Sequence, residues 1–121
     1  MKKVFALRGA TQCLNNVDDI QKNIASLYDA LLCQNNLSED EIISLSFSIT
    51  QDLTAVNPAA ALRKSGRAKD LALFSVQEPI SDNSLPRTVR FLVHCYLEEG
   101  SNVKHIYRNG AEVLRPDRGQ L

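Results

Sequence analysis

The stretch RTVRFLVHCYL, residues 87–97, decides the fold class of this 121-residue chain. Alternate positions in it are all apolar: Val89, Phe91, Val93, Cys95 and Leu97. A period of two predicts a β-strand that buries one face. The other face carries Thr88, Arg90, Leu92, His94 and Tyr96. That second face is too apolar for open solvent.

Arg90 is the most informative single residue of this strand. A guanidinium on a largely apolar face needs an anionic partner. That partner could be an internal Asp or Glu or a bound ligand, and a solvated strand edge would also accommodate the charge. Arg90 alone therefore indicates an anion beside the strand without identifying it.

Outside this stretch, the period of a strand and the spacing of a helix both occur. Lys2 to Arg8 predicts a short strand, and apolar residues at steps of three and four then predict a helix that covers a sheet. These helical positions are Val17, Ile20, Ile24, Leu27 and Leu31. After a Ser38–Glu41 capping box, residues 42–50 alternate again. One predicted face is Ile43, Leu45, Phe47 and Ile49, and the other is Ser44, Ser46, Ser48 and Thr50.

Turn residues define the remaining elements. Asn57-Pro58 begins a predicted helix of about two turns that ends at Gly66. Leu71 to Val76 predicts a strand, and Lys104 to Leu114 predicts a hairpin around Asn109-Gly110. The expected class is mixed α/β (α+β), a mostly antiparallel sheet packed with helices. Residues 1–121 form one predicted domain with a flexible C-terminal tail from about residue 116.

Composition excludes several classes of function. Lys and Arg number 14 and Asp and Glu number 14, so no net charge steers the protein to nucleic acid or an anionic membrane. The apolar run Val4–Leu7 is too short for a secretory signal, which predicts a cytoplasmic protein.

The three cysteines, Cys13, Cys33 and Cys95, have neither disulfide-framework nor zinc-site spacing. A monomer of this size offers no deep cleft, so a sizeable pocket is expected between subunits.

Other candidate residues each have an ordinary structural explanation as well. Gly9 after Arg8 fits a strand exit, Arg63 fits a helix C-terminus, and Glu78 before Pro79 fits a turn. His94 and His105 lack triad or metal spacing, and no G-x-S-x-G, P-loop or G-x-G-x-x-G motif is present. Covalent, metal and nucleotide chemistry are therefore not favoured.

Five blocks in order resemble a known family. They are Arg8-Gly9-Ala10-Thr11, Thr50-x-Asp52-Leu53-x-Ala55-x-x-Pro58-Ala59-x-Ala61-x-Arg63, Gln77-Glu78, Pro86-Arg87-x-Val89-Arg90, and His105-Ile106-Tyr107 with Ala111-x-x-Leu114-Arg115-Pro116-Asp117. Together they resemble the small monofunctional chorismate mutases of the trimeric pseudo-α/β-barrel type, the AroH class. The resemblance runs over nearly the whole chain.

The resemblance implies a homotrimer with active sites between neighbouring subunits. It also implies the intramolecular Claisen rearrangement of chorismate to prephenate, in the biosynthesis of phenylalanine and tyrosine. Negative charge builds on the ether oxygen as its bond to carbon breaks, and neither a nucleophile nor a metal nor a cofactor is needed. The protein has to hold a dicarboxylate in a reactive shape and place a cation beside the oxygen.

Site residues carried over from the family take these roles. Arg90 would face the ether oxygen, Glu78 would accept a hydrogen bond from the ring hydroxyl, and Arg8 and Tyr107 would bind carboxylate. Arg63 would guard the entrance. The Ser75 hydroxyl would hold the ring alcohol, and the peptide groups of Phe74, Ser75, Val76 and Gln77 would line the same wall. Leu114 and Arg115 would belong to a segment that orders over the site. Asn57 stands where relatives usually have an aromatic residue, Phe74 is larger than usual, and Pro79 replaces the usual Met.

Two alternatives stay open at this point. A trimeric imine/enamine deaminase has a similar fold and an interfacial arginine that binds a carboxylate. A non-catalytic trimer of the same fold could bind a cyclic acid without converting it. Because no proton moves in the Claisen rearrangement, a kcat that is flat around neutral pH would separate a mutase from an acid–base enzyme.

Overall fold

The structure is a computed structural model that describes residues 1–115. The predicted flexible tail from residue 116 lies outside the described residues. The elements in chain order are β1 (Lys2–Gln12), α1 (Val17–Gln34), β2 (Ile42–Ile49), α2 (Pro58–Lys64), β3 (Leu73–Gln77), β4 (Thr88–Glu98) and β5 (Ile106–Arg108). Single 3₁₀ turns occupy Glu39–Glu41 and Ala111–Leu114.

One five-stranded sheet has the strand order β3-β2-β4-β1-β5. The central strand β4 pairs antiparallel with β1 on one side and with β2 on the other. Both outer pairs, β2 with β3 and β1 with β5, are parallel and shorter. The predicted mixed, mostly antiparallel sheet is confirmed, and the strand first recognised in the sequence is its centre.

Both helices cover the same face of the sheet, where the main core lies. The predicted apolar face of β4 is buried there, from Val89 at 0% exposed to Leu97 at 6%. Fully buried side chains of α1 and α2 join the same core, among them Ile20, Ile24, Leu27, Leu31 and Leu62. We call the opposite side of the sheet the open face. It leaves Val4, Leu92 and Tyr96 between about a third and a half exposed, at 52%, 37% and 47%.

Strand β1 is longer than predicted, because it does not end at Arg8 but continues to Gln12. Gly9 therefore lies inside the strand rather than at its exit. A Cβ at Gly9 would lie 3.0 Å from Cδ1 of Leu31 and 3.3 Å from Cδ1 of Leu27. The glycine thus allows helix α1 to pack close to the strand.

The predicted apolar face of β2 is wrong at one position. A β-bulge between Ile42 and Ser44 shifts the register against β4. Ile42 consequently enters the core at 7% exposed, whereas Ile43 is 42% exposed. A bulge adds one residue to a strand and so reverses the facing of the residues before it. From Leu45 onward the predicted faces hold.

The predicted hairpin over residues 104–114 is also wrong. Asn109 and Gly110 do turn the chain, with φ of 54° and 103°. The segment before them, β5, pairs parallel with β1, and the segment after them forms a 3₁₀ turn instead of a returning strand. Ala111 is fully buried there, so the chain folds over the sheet rather than extending along its edge.

The helix starts agree with the sequence. Asn16 Oδ1 accepts a hydrogen bond from the Asp19 amide at 2.8 Å and caps α1. Asn57 Oδ1 accepts from the Ala59 amide, also at 2.8 Å, and caps α2.

Cys13 and Cys95 are buried and Cys33 is exposed. Among residues 1–115, no helix is both long enough and apolar enough to cross a membrane.

Candidate active site

The candidate residues gather on the open face because the strand register aligns them. One row across all five strands reads Val76, Ser48, Arg90, Ala10 and Tyr107. The next row reads Phe74, Ser46, Leu92 and Arg8. Residues paired directly across strands share a face, so these side chains start from the same side of the sheet. Four predicted site residues from separate strands are thereby brought together: Arg8, Val76, Arg90 and Tyr107.

Glu78 supplies the anion that Arg90 requires. It follows β3, and its amide donates to the Ile49 carbonyl at 2.9 Å, which holds its backbone beside the end of β2. Glu78 Oε1 lies 3.4 Å from Arg90 Nε, and the same oxygen accepts a hydrogen bond from Ser48 Oγ. The Arg90 side chain is nevertheless 44% exposed. Arg90 therefore keeps donors for a second partner beside its internal carboxylate.

A cavity of about 330 Å³, which we call the first cavity, opens above this cluster. Its lining includes two cations, two hydroxyls and apolar side chains: Arg8, Arg90, Ser46, Ser48, Val76 and Leu92. The Arg8 amide donates to His105 Nδ1 at 2.9 Å, while no acidic side chain among residues 1–115 forms an ion pair with the Arg8 guanidinium. Glu78 is not among the lining residues but contacts Arg90, so two cations face one neighbouring carboxylate. This balance makes the first cavity suited to an anionic ligand.

Tyr107 lies in the same row as Arg90 but is 4% exposed. Its ring belongs to a small cluster with Ala10 and Ala111, against which Leu85 and Leu114 pack. The C-terminal segment thus covers the open face at the β5 edge. Leu114 contributes to this cover, and the Arg115 amide donates to the Glu112 carbonyl at 3.2 Å.

A second group of predicted residues lies elsewhere, around a cavity of about 380 Å³ that we call the second cavity. Ser75 and Gln77 line it together with Asn57, and Ser75 Oγ donates to Asn57 Oδ1 at 3.2 Å. Ser75 and Gln77 alternate with Val76 along β3, so they face away from Arg90. Within a single chain the side chains of Ser75 and Gln77 therefore line the second cavity, on the side of β3 opposite Val76.

Two further predicted residues are separate from the Arg90 cluster. Phe74 starts from the open face but stands on the edge strand β3, 66% exposed. Arg63 closes α2, and its Nη2 donates to the Leu71 carbonyl at 2.8 Å. Asn57, at the position where relatives usually carry an aromatic residue, caps this same helix. A single chain thus presents two groups of candidate residues, around two cavities that share only Val76 in their linings.

The Thr50-x-Asp52 block has a structural role at the start of β4. Both carboxylate oxygens of Asp52 accept from the Arg87 amide, at 3.1 and 3.0 Å. Thr50 Oγ1 donates to Asp52 at 2.6 Å and accepts from the Thr88 amide at 3.0 Å. These bonds hold Arg87 at φ 47°, a conformation unfavourable for an L-residue. The block therefore fixes the strand that carries Arg90.

Sequence reasoning did not select Ser46 and Ser48, although both line the first cavity. The signal was present, because β2 carries a run of hydroxyl residues opposite its apolar face. A row of serines on a strand is also typical of a solvated surface. Only the pairing of Ser48 with Arg90 distinguishes it from its neighbours.

Comparison with known proteins gives consistent relatives. The family model described as chorismate mutase type I matches residues 4–118. The chain is 36% identical over 81 residues to the chorismate mutase AroH of Thermus thermophilus, covering 66% of each chain. It is 25% identical over 116 residues to the chorismate mutase AroH of Bacillus subtilis, covering 94% of this chain and 91% of that one. A solved chorismate mutase from Clostridium thermocellum matches with a TM-score of 0.82 and 36% identity, covering 90% of this chain and 98% of that one.

Proposed function

This chain belongs to the chorismate mutase type I family and is an isomerase that converts chorismate to prephenate, and we propose that it does so in the first cavity, beside Arg90 and Glu78. The observation that carries this proposal is the pair of cations there. Arg8 and Arg90 point into one cavity whose other walls are hydroxyl and apolar. A dicarboxylate that develops further negative charge in its transition state requires such a site.

Arg90 stabilises the transition state in this proposal. The ether carbon–oxygen bond breaks while a carbon–carbon bond forms within the same molecule, and charge accumulates on the ether oxygen. A guanidinium aimed at that oxygen binds the transition state more tightly than the substrate, which raises kcat. The contact with Glu78 through Nε leaves the two terminal nitrogens of Arg90 for the substrate.

The other residues restrain the substrate. Arg8 and Tyr107 take carboxylate groups, and Glu78 accepts the hydrogen bond of the ring hydroxyl. Holding a flexible enolpyruvyl side chain over the ring removes much of the entropy cost of the rearrangement. The rearrangement moves no proton and takes no electrons from outside the substrate. We therefore expect kcat to be flat around neutral pH, which distinguishes this enzyme from a deaminase of similar fold.

We further propose that the active site is completed by a neighbouring copy in a homotrimer. Ser75 and Arg63 do not reach the first cavity within one chain, and β3, which carries Phe74 and Ser75, is an edge strand. An open sheet face with exposed Leu92 and Tyr96 is a surface that association would bury. A cyclic trimer would bring the second cavity of one chain against the first cavity of the next.

The test is to mix the purified protein with chorismate and to follow the loss of its conjugated-diene absorbance. We expect wild type to consume chorismate and Arg90→Ala to lose about 100-fold or more in kcat. Lys69→Ala is the matched control, because this exposed cation lies in the turn after α2, away from both cavities.

Each outcome of this test has a separate meaning. Unchanged turnover in Arg90→Ala would remove Arg90 from the site while leaving the family assignment intact. Tight binding of chorismate by calorimetry without formation of prephenate would indicate a non-catalytic member of the fold.

A cytoplasmic location stays a prediction from the sequence.

A further inference from the structure

Ser48 is the one side chain on β2 that contacts the charged pair of the first cavity. Its hydroxyl donates to Oε1 of Glu78, and it sits directly opposite Arg90 in the β2–β4 register. Ser48 is partly buried, and it lines the same cavity as Arg90. The roles proposed above for Arg90 and Glu78 do not include this serine.

Glu78 has few other restraints. It stands just after the last residue of an edge strand, and its carboxylate is joined to the backbone by three rotatable bonds. The Arg90 contact, at 3.4 Å, is longer than the 2.7 to 2.9 Å that is usual for a charge-assisted hydrogen bond. Among residues 1–115, the Ser48 hydroxyl is therefore the side-chain group that donates a hydrogen bond to this carboxylate, whereas Arg90 makes an ion pair with it.

Both anchors use the same oxygen of the carboxylate. Ser48 and Arg90 approach Oε1, and no residue among 1–115 donates a hydrogen bond to Oε2 of Glu78. A carboxylate held by one oxygen presents the lone pairs of the other in a fixed direction. The geometry leaves Oε2 as the acceptor for a ligand hydroxyl.

We propose that Ser48 is a positioning residue, which fixes the Glu78 carboxylate so that Oε2 accepts the substrate hydroxyl while Oε1 stays with Arg90. This inference rests on the function proposed above. Without the Ser48 hydroxyl, Glu78 rotates away from the cavity or moves closer to Arg90. Rotation away from the cavity removes the acceptor for the substrate hydroxyl. Movement closer to Arg90 draws its guanidinium away from the ether oxygen.

The experiment measures chorismate turnover in four variants. We expect Ser48→Ala to lower kcat/KM by about 10-fold, the scale of a misplaced reacting group. Ser48→Thr retains a hydroxyl and is expected to recover most of that loss. Ser44→Ala is the matched control, because Ser44 is on the same strand and face, opposite His94, and does not line the first cavity. Glu78→Ala establishes how much activity depends on the carboxylate itself.

A double-mutant cycle separates positioning from a general structural effect. If Ser48 acts through Glu78, then adding Ser48→Ala to Glu78→Ala produces little further loss. Equal turnover in Ser48→Ala and Ser44→Ala would overturn the proposal, and so would losses that multiply fully in the double variant. Should Ser48→Ala fail to fold, Ser48→Cys has a similar volume with a weaker donor and is expected to show the same pattern.

Failure of this proposal is distinguishable from failure of the proposed function. If wild type consumes chorismate and Glu78→Ala does not, the site stands whatever Ser48→Ala does. If Arg90→Ala and Glu78→Ala both retain full activity, the site itself is misplaced, and Ser48 loses its role with it.

Discussion

Single arginines in this protein differ in what their guanidinium groups contact. Those of Arg67, Arg87 and Arg108 donate to protein oxygen atoms at 2.7 to 2.8 Å. Arg90 has a longer contact with one carboxylate, and Arg8 has no acidic partner among residues 1–115. Charge alone could not rank these side chains from the sequence. These contacts distinguish Arg67, Arg87 and Arg108, which bind protein oxygen atoms, from Arg8 and Arg90, which line the first cavity.

Cys13 predicts how stability changes at alkaline pH. Burial, with a smaller effect of the nearby Asp19, raises the pKa of this thiol from its usual 9.0 to about 12. The unfolded chain therefore loses this proton near pH 9 while the folded chain keeps it. Since the folded state then binds more protons, the free energy of unfolding falls as the pH rises from 9 towards 12.

Urea denaturation at pH about 8 and about 10 measures this effect. We expect Cys13→Ala to reduce the difference in the free energy of unfolding between the two pH values. Cys33→Ala is the control, because Cys33 is exposed. Burial also raises the pKa of the Tyr28 hydroxyl, so part of the difference persists in Cys13→Ala. An identical pH dependence in wild type and Cys13→Ala would contradict the prediction.

At the scale of elements, short polar motifs fix where helices and strands begin. Asn16 and Asn57 accept amide hydrogen bonds at the starts of α1 and α2. Asp52 likewise fixes the start of β4, because both of its carboxylate oxygens accept from the Arg87 amide. The bonds from Asp52 to the Arg87 amide fix the start of the strand that carries Arg90.

Asp52→Ala is expected to lower the free energy of unfolding by about 1 kcal/mol, because Arg87 loses a charged acceptor. Chemical denaturation measures this change. Asp70→Ala is a suitable comparison, since Asp70 is exposed in the turn after α2 and forms no hydrogen bond with a described side chain. If the two variants were equally stable, the Asp52 contact would carry no net stabilisation. Asp52→Asn retains one acceptor and should lie between them.

For the whole molecule, the important property is that one chain divides its candidate residues between two places. The first cavity lies on the open face, and the second cavity lies between α2 and β3. Exposed apolar residues such as Tyr96 and Phe74 surround the first group. The proposed homotrimer would account for both features at once, because it would bury the open face and complete each site.

Mixing two inactive variants tests this arrangement. Arg90→Ala removes a residue of the first cavity, and Arg63→Ala removes one beside β3. Random exchange of these subunits would restore about a quarter of the sites, since each site then draws on two different chains. Activity of the mixture is compared with each variant alone, and the mass from light scattering should correspond to three chains. A monomer, or no gain on mixing after proven exchange, would contradict a shared site.

The sequence by itself determined the local elements. The period of two in residues 87–97, the stripe of α1 and the Asn57 cap are each encoded by residues a few positions apart, so they could be recognised in advance. The family resemblance added separate roles for Arg90 and Glu78, which the local patterns had left open. The place of Arg90 on a largely apolar strand face also indicated an anion beside that strand before any geometry was known.

Only the tertiary structure decided the pairing. The bulge at Ile43, the parallel course of β5 and the choice of sheet face for Ser75 and Val76 depend on partners 28 or more positions away. The contact of Ser48 with Glu78 joins residues 30 apart in the same way. Strand register is set by contacts across the sheet, and a one-residue shift reverses every side chain. A local pattern carries no information about that distant partner, which is why the neighbours of Arg90 could not be predicted from the sequence.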